Sequence, residues 1–181
     1  MIVYSIQPID DGWWVLAQND DDLERICASS EPLLPNWKPL EARLLTEGEG
    51  KSFVEVDMPW MAGAALVVNN QAKRALEDVV GVEAEFLPVN VADKKFWILN
   101  AFQLPDALDE AGSEILRFPS SGRVMKVLQF AFNAGAVSDR TIFKIPQLSR
   151  SATFVTEKFV AAVIAAGLSG FQFTEIWASS V

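Results

Sequence analysis

Apolar residues along the chain gather in short runs, and two segments repeat one order: apolar strand, polar cap, amphipathic helix, glycine, second strand. In the first, Ala64-Ala65-Leu66-Val67-Val68 leads to Asn69-Asn70, whose side-chain carbonyls suit a helix N-terminus. Ala72, Ala75, Leu76, Val79 and Val80 then recur at helical spacing and lay down one apolar stripe, and Gly81 supplies a left-handed stop. Residues 83–91 follow as a partly alternating strand. In the second segment, Ala152-Thr153-Phe154-Val155 leads to Thr156 as N-cap, with Val155 and Val160 placed to form a hydrophobic staple. Phe159, Val160, Val163 and Ile164 form its stripe, Gly167 stops it, and residues 170–177 alternate as a half-buried strand. Two occurrences are too few for a solenoid. They predict two helices covering one sheet.

Residues 1–7, 13–17, 52–56, 95–102, 123–132 and 141–145 are further strand candidates, rich in aromatic or β-branched residues. The expected fold class is therefore α+β, a mixed or mostly antiparallel sheet covered by two or more amphipathic helices. Residues 29–50 hold Pro32, Pro35, Pro39, Gly48 and Gly50 with little periodicity, which predicts a long loop or a boundary. With 181 residues, half of them hydrophobic, the chain can bury a core as a single domain. Within it, residues 1–57 are expected to form an acidic N-terminal subdomain or extension and residues 58–181 the compact α+β unit.

Composition narrows the chemistry. The chain has no histidine, which removes the commonest general base near neutral pH and the commonest metal ligand. Serine triads, Cys-His dyads and histidine-containing zinc sites are ruled out with it. Cys27 is the single cysteine, so no internal disulfide can form, and a packing thiol is its simplest reading. Neither G-x-x-x-x-G-K-[ST] nor G-x-G-x-x-G occurs. The run from Phe159 to Leu168 falls short of the roughly 20 residues that cross a bilayer, and Met1–Pro8 lacks the basic start of a secretory signal. No membrane association and a reducing, cytoplasmic location are expected.

Carboxylates are the chemistry that remains, in two clusters. Asp20-Asp21-Asp22 lacks the alternation of a calcium loop, whereas Asp21-x-x-Glu24 fits a capping arrangement. Asp106, Asp109, Glu110 and Glu114 are spaced for one side of a helical turn, but proline followed by acids is also ordinary helix-start grammar. Both clusters read more simply as structure than as metal sites. No catalytic, cofactor-binding or metal residue is assigned. A carboxylate-dependent metal enzyme using the second cluster stands as the alternative.

Charge is distributed unevenly. Residues 1–60 carry 12 acids and 4 bases, a net −8 of the chain's −9, whereas residues 115–150 carry six bases and only Asp139 as an acid, a net +5. An acidic first third repels nucleic acid and favours a basic protein surface. Trp13 and Trp14 are consecutive, so in a strand they face opposite sides: either that strand is covered on both faces, or one indole is left exposed as an interface anchor beside the acids. The candidate partner-binding residues are Asp10, Asp11, Trp13, Trp14, Asp20, Asp21, Asp22 and Glu24. The opposite charges of the two regions also leave a homodimer or self-associating structural module open.

Several segments, in order, resemble immunity protein family 11 of bacterial polymorphic toxin systems. Leu66-Val67-Val68-Asn69 with its helix looks like the family's strand and capped helix, although serine usually stands where Asn69 does. Phe96-Trp97-Ile98-Leu99-Asn100, then Ala107-Leu108-Asp109 and Ser113-Glu114, are similar to its central segment. Ile142-Phe143-Lys144-Ile145, Phe154-Val155-Thr156-Glu157-Lys158-Phe159 and Gly167-Leu168-Ser169-Gly170-Phe171-Gln172-Phe173 look like its C-terminal signature. The resemblance covers roughly the last two thirds of the chain. It implies a cytoplasmic antidote that binds and neutralises a cognate toxin encoded beside it, protecting the producing cell and its siblings. It implies no catalytic residues.

Overall fold

The run Ala65-Leu66-Val67-Val68 offers no polar face to water, and the fold buries it on both sides. The computed structural model describes residues 1–19, 21, 24, 26, 29, 32–62, 65–91, 94–148, 150 and 152–179; Cys27 lies outside them. In chain order the elements are β1 (Ile2–Pro8), β2 (Trp14–Ala17), β3 (Leu40–Leu45), β4 (Glu47–Gly48), β5 (Lys51–Ser52), β6 (Trp60–Ala62), β7 (Ala65–Asn69) and α1 (Asn70–Val80). There follow β8 (Ala84–Val91), β9 (Lys94–Ala101), β10 (Glu114–Arg117), β11 (Val124–Gln129), α2 (Ala134–Val137), β12 (Ile142–Phe143), β13 (Phe154–Thr156), α3 (Glu157–Ala165) and β14 (Phe171–Ala178).

Six strands close into a barrel in the order β2-β3-β8-β9-β7-β6. Antiparallel ladders make most of the wall, and two short parallel contacts complete it, Trp14 beside Trp60 and Leu40 beside Val89. Alternation sends one residue of each pair inward. Val15, Leu40, Met61, Val67, Leu87, Phe96 and Ile98 thus fill the interior, while Leu66, Val68 and Leu99 point out of the same wall into a second core.

A second, antiparallel sheet runs β12-β13-β1-β14. β12 and β13 are buried on both faces, β1 contributes Val3 and Ile6, and the edge strand β14 is largely exposed. Ile6, Ile142, Val155 and Phe171 face the core that lies against the barrel, whereas Val3, Phe143 and Phe154 enter a third core beneath the β10–β11 hairpin. Phe132 centres that third core, with Phe130, Phe143, Phe154 and Trp177 at ring distances of 5.6–5.8 Å.

The expected single sheet covered by amphipathic helices is therefore incorrect. The protein is mostly β, and its helices are few and short. α1 rests on β7 and β9 of the barrel, α3 rests on β1 and β13 of the sheet, and the two helices meet between them. Helical stripes announce an apolar face but not whether the strands beneath belong to one sheet or two. Residues 29–50 are not simply a loop either. They contain β3, whose inward Leu40 and Ala42 alternate with exposed Glu41 and Arg43.

The helix termini differ in how they match the local grammar. Asn69 Oδ1 accepts from the Ala72 amide at 2.9 Å, and Gly81 follows with φ of +50°. Thr156 makes no capping bond; its hydroxyl donates to the Arg140 carbonyl at 2.7 Å. Ile164, placed in the stripe by spacing, is 72% exposed. Gly170 has φ of +121° and lies so close beneath Met58 that a Cβ would fall 2.2 Å from the Met58 carbonyl oxygen. Only glycine fits that approach.

One end of the barrel is polar. Glu85 and Asn100, inward-facing partners on β8 and β9, are joined by an Asn100 Nδ2 to Glu85 Oε1 bond of 2.8 Å. The Glu85 carboxylate also accepts the Leu33 and Leu34 amides, and the fully buried Lys144 donates to Asn100 Oδ1 at 2.8 Å. Buried polar groups persist when each finds partners, as here.

The three-core arrangement makes a sharp contrast between two isoleucines. Ile98→Ala, inside the barrel, is expected to lose about 2–5 kcal/mol of stability, whereas Ile164→Ala is expected to stay within about 0.5 kcal/mol of wild type. Urea denaturation of both variants measures this, and equal losses would contradict the placement of Ile164.

Candidate functional site

The turn between β1 and β2 gathers three of the eight candidate contact residues. Gly12 is buried there and pairs with Val54, and a Cβ at this position would meet Ile9 Cγ1 at 2.8 Å. That pairing consists of two backbone bonds, Val54 N to the Asp11 carbonyl at 2.7 Å and Trp13 N to the Val54 carbonyl at 3.0 Å. Asp10 and Asp11 are exposed. Trp13 is half-buried, with its indole N–H on the Phe53 carbonyl at 3.2 Å and Lys94 Nζ 4.8 Å from its ring centroid. Lys94 in turn pairs with Glu55 at 2.6 Å. Trp14 is also half-buried, so neither indole is the freely exposed anchor that their adjacency suggested.

The other described candidates lie elsewhere. Asp21 and Glu24 are exposed beyond the far end of β2, which separates them from Asp10 and Asp11 by roughly 10 Å of strand. Glu24 pairs with Arg150. Asp20 and Asp22 fall outside the described residues. In their place, the Gly12–Val54 pairing brings a sequence-distant acid, Glu55, to the β1–β2 turn, and the neighbouring β4–β5 hairpin adds exposed Glu47 and Glu49. Sequence spacing gave no sign of this, because it depends on a long-range bridge.

The second carboxylate cluster is dispersed. Residues 105–113 form turns rather than the helix expected from Pro105 and its acids. Asp109 Oδ1 accepts the Ala111 and Gly112 amides, a local turn that competes with helix. Glu110 faces away to Arg117 and Gln147. Among the described residues no three of His, Cys, Asp or Glu come together as a metal would require. No helix there is long and apolar enough to cross a membrane.

A cleft of about 580 Å³ lies between the β10–β11 hairpin and the turn Pro146–Leu148. Arg117, Arg123 and Arg150 border it, and Phe118 and Met125 form part of its wall. On its rim the Gln147 amide and the Arg117 guanidinium hold the Glu110 carboxyl below its ordinary pKa, the Gln147 hydrogen bond having the larger effect.

The immunity protein family Imm11 matches residues 40–178. The chain belongs to that family. The Imm11 match begins at the first residue of β3 and takes in five of the six barrel strands, both longer helices and the whole arginine-bordered cleft. β1, β2 and all eight candidate contact residues precede it. No curated protein matches the chain. For this Imm11 member, family membership speaks for an immunity function.

A carboxyl whose folded pKa is depressed supports folding above its unfolded pKa and loses that support as pH falls through the folded value. Gln147→Leu is accordingly expected to raise the Glu110 pKa, as read by side-chain carbon NMR titration, with any stability difference from wild type fading on acidification. Because Glu110 is exposed, that difference should be small. An unmoved Glu110 titration would contradict the role given to Gln147.

Proposed function

We propose that this chain is an antidote that works by occupancy: in the cytoplasm it binds a cognate toxin, encoded beside it, and blocks the toxin without chemistry of its own. The Imm11 match over residues 40–178 carries this reading. The three-core scaffold suits it, since a rigid body loses little conformational entropy when it docks.

For the contact we favour the acidic N-terminal third. Asp10, Asp11, Trp13 and Trp14 form its centre, Asp21 and Glu24 extend it past the other end of β2, and Asp20 and Asp22 are included on their sequence alone. The side chains of Asp10 and Asp11 make no ion pair or hydrogen bond among the described residues. Their charge is therefore free to complement a basic toxin surface, such as one that binds an anionic substrate. Electrostatic complementarity of this kind speeds association and makes it salt-sensitive.

Co-expression with the polypeptide of the neighbouring reading frame tests the reading. A purified complex and protection from that polypeptide's toxicity are expected, and Asp10→Lys with Asp11→Lys should slow association by about tenfold at low salt. If neither complex nor protection is seen, the antidote reading fails.

A further inference from the structure

We infer that the cleft between the β10–β11 hairpin and the Pro146–Leu148 turn is a second docking surface, which takes an extended acidic segment of the partner carrying apolar side chains. This rests on the reading that the partner is a toxin, and adds a basic contact to the acidic one proposed at the β1–β2 turn.

The hairpin exposes more apolar surface than a two-stranded ribbon needs. Leu116, Phe118, Met125 and Leu128 are 46%, 42%, 46% and 47% exposed, half of the large hydrophobic side chains exposed among the described residues; Phe118 and Met125 line the cleft, whereas Leu116 and Leu128 lie on the hairpin outside its lining. An apolar patch rimmed by polar groups is the usual mark of an interaction site. Its composition, one phenylalanine, one methionine and three arginines around the cleft, is that of an interface centre.

The arginines define the chemistry of the occupant. Guanidinium forks receive carboxylates in bidentate fashion. The Arg123 guanidinium has no ion pair or hydrogen bond among the described residues. Arg117 and Arg150 are held by Glu110 and Glu24 in exposed pairs, and such pairs contribute only about 0–1 kcal/mol. An incoming carboxylate can therefore replace either at little cost. A nucleic acid fits less well. It needs a continuous positive track, whereas Glu24 and Glu110 interrupt this rim and the chain carries −9 overall.

The test uses fluorescence anisotropy with the full chain and three labelled probes: a peptide alternating glutamate and leucine, its lysine counterpart, and a short oligouridylate. The acidic peptide should bind wild type, and Arg123→Glu or Met125→Asp should weaken it by about tenfold or more, with far-UV circular dichroism unchanged because both side chains are exposed. The lysine peptide and the oligouridylate should not bind. The same two variants should weaken the complex with the neighbouring polypeptide. If that complex forms but neither variant affects it or the peptide, the cleft inference is overturned while the antidote reading stands. If the peptide binds through the cleft but no complex forms, the antidote reading fails and the acidic-segment site stands. Preferential binding of oligouridylate, or sedimentation showing self-association that Arg123→Glu abolishes, overturns the assignment of the occupant.

Discussion

Burial of single strand layers on both faces is the constraint on which this structure depends. β7 and β9 separate the barrel interior from the core outside it, and the β12-β13-β1-β14 sheet separates that core from the aromatic one under the hairpin. Each partition must be apolar on both sides, as in parallel sheets covered by helices on both faces. The cores therefore stand in series, and a strand removed from either partition would open two of them. The same requirement explains why Glu85, Asn100 and Lys144, the polar exceptions near one end of the barrel, are joined in one hydrogen-bonded chain.

Much of this was legible locally. Continuous apolar runs such as Leu66-Val67-Val68 and the stripes of α1 and α3 mark their elements, and Asn69 and Gly81 bound α1 as their chemistry dictates. What local pattern lacks is partnership. Barrel closure rests on pairings such as Trp14 with Trp60 and Leu40 with Val89, contacts between distant segments that no periodicity encodes. β3 was hidden because Pro39 and the surrounding prolines and glycines outweigh a short alternation, and β6 because three residues are too few to show a period. Thr156 and Ile164 show tertiary context overriding local grammar: the Arg140 carbonyl takes the hydroxyl, and α3 turns Phe159 and Val163 into the core while Ile164 stays outside it.

The candidate surface was legible only in part. Runs such as Asp10-Asp11 can be read directly, and the basic character of residues 115–150 is likewise a matter of composition. Their geometry is not. β2 divides the acids into two groups, Glu47, Glu49 and Glu55 join the first by folding, and Glu24 crosses to Arg150 at the basic cleft. The cleft lies where the hairpin, seated over the Phe132 core, faces the Pro146–Leu148 turn. Charge asymmetry along the chain thus becomes an acidic turn at one end of β2 and a basic cleft that Glu24, beyond its other end, reaches through Arg150.

The central claim is inhibition by occupancy rather than by chemistry, and titration of the neighbouring polypeptide's toxic activity against this chain tests it most directly. Occupancy predicts that activity falls linearly with added chain and ends at a fixed molar ratio, independent of incubation time and reversible on separation. Loss of activity at far below stoichiometric amounts, increasing with time and persisting after the chain is removed, would show turnover and contradict the account.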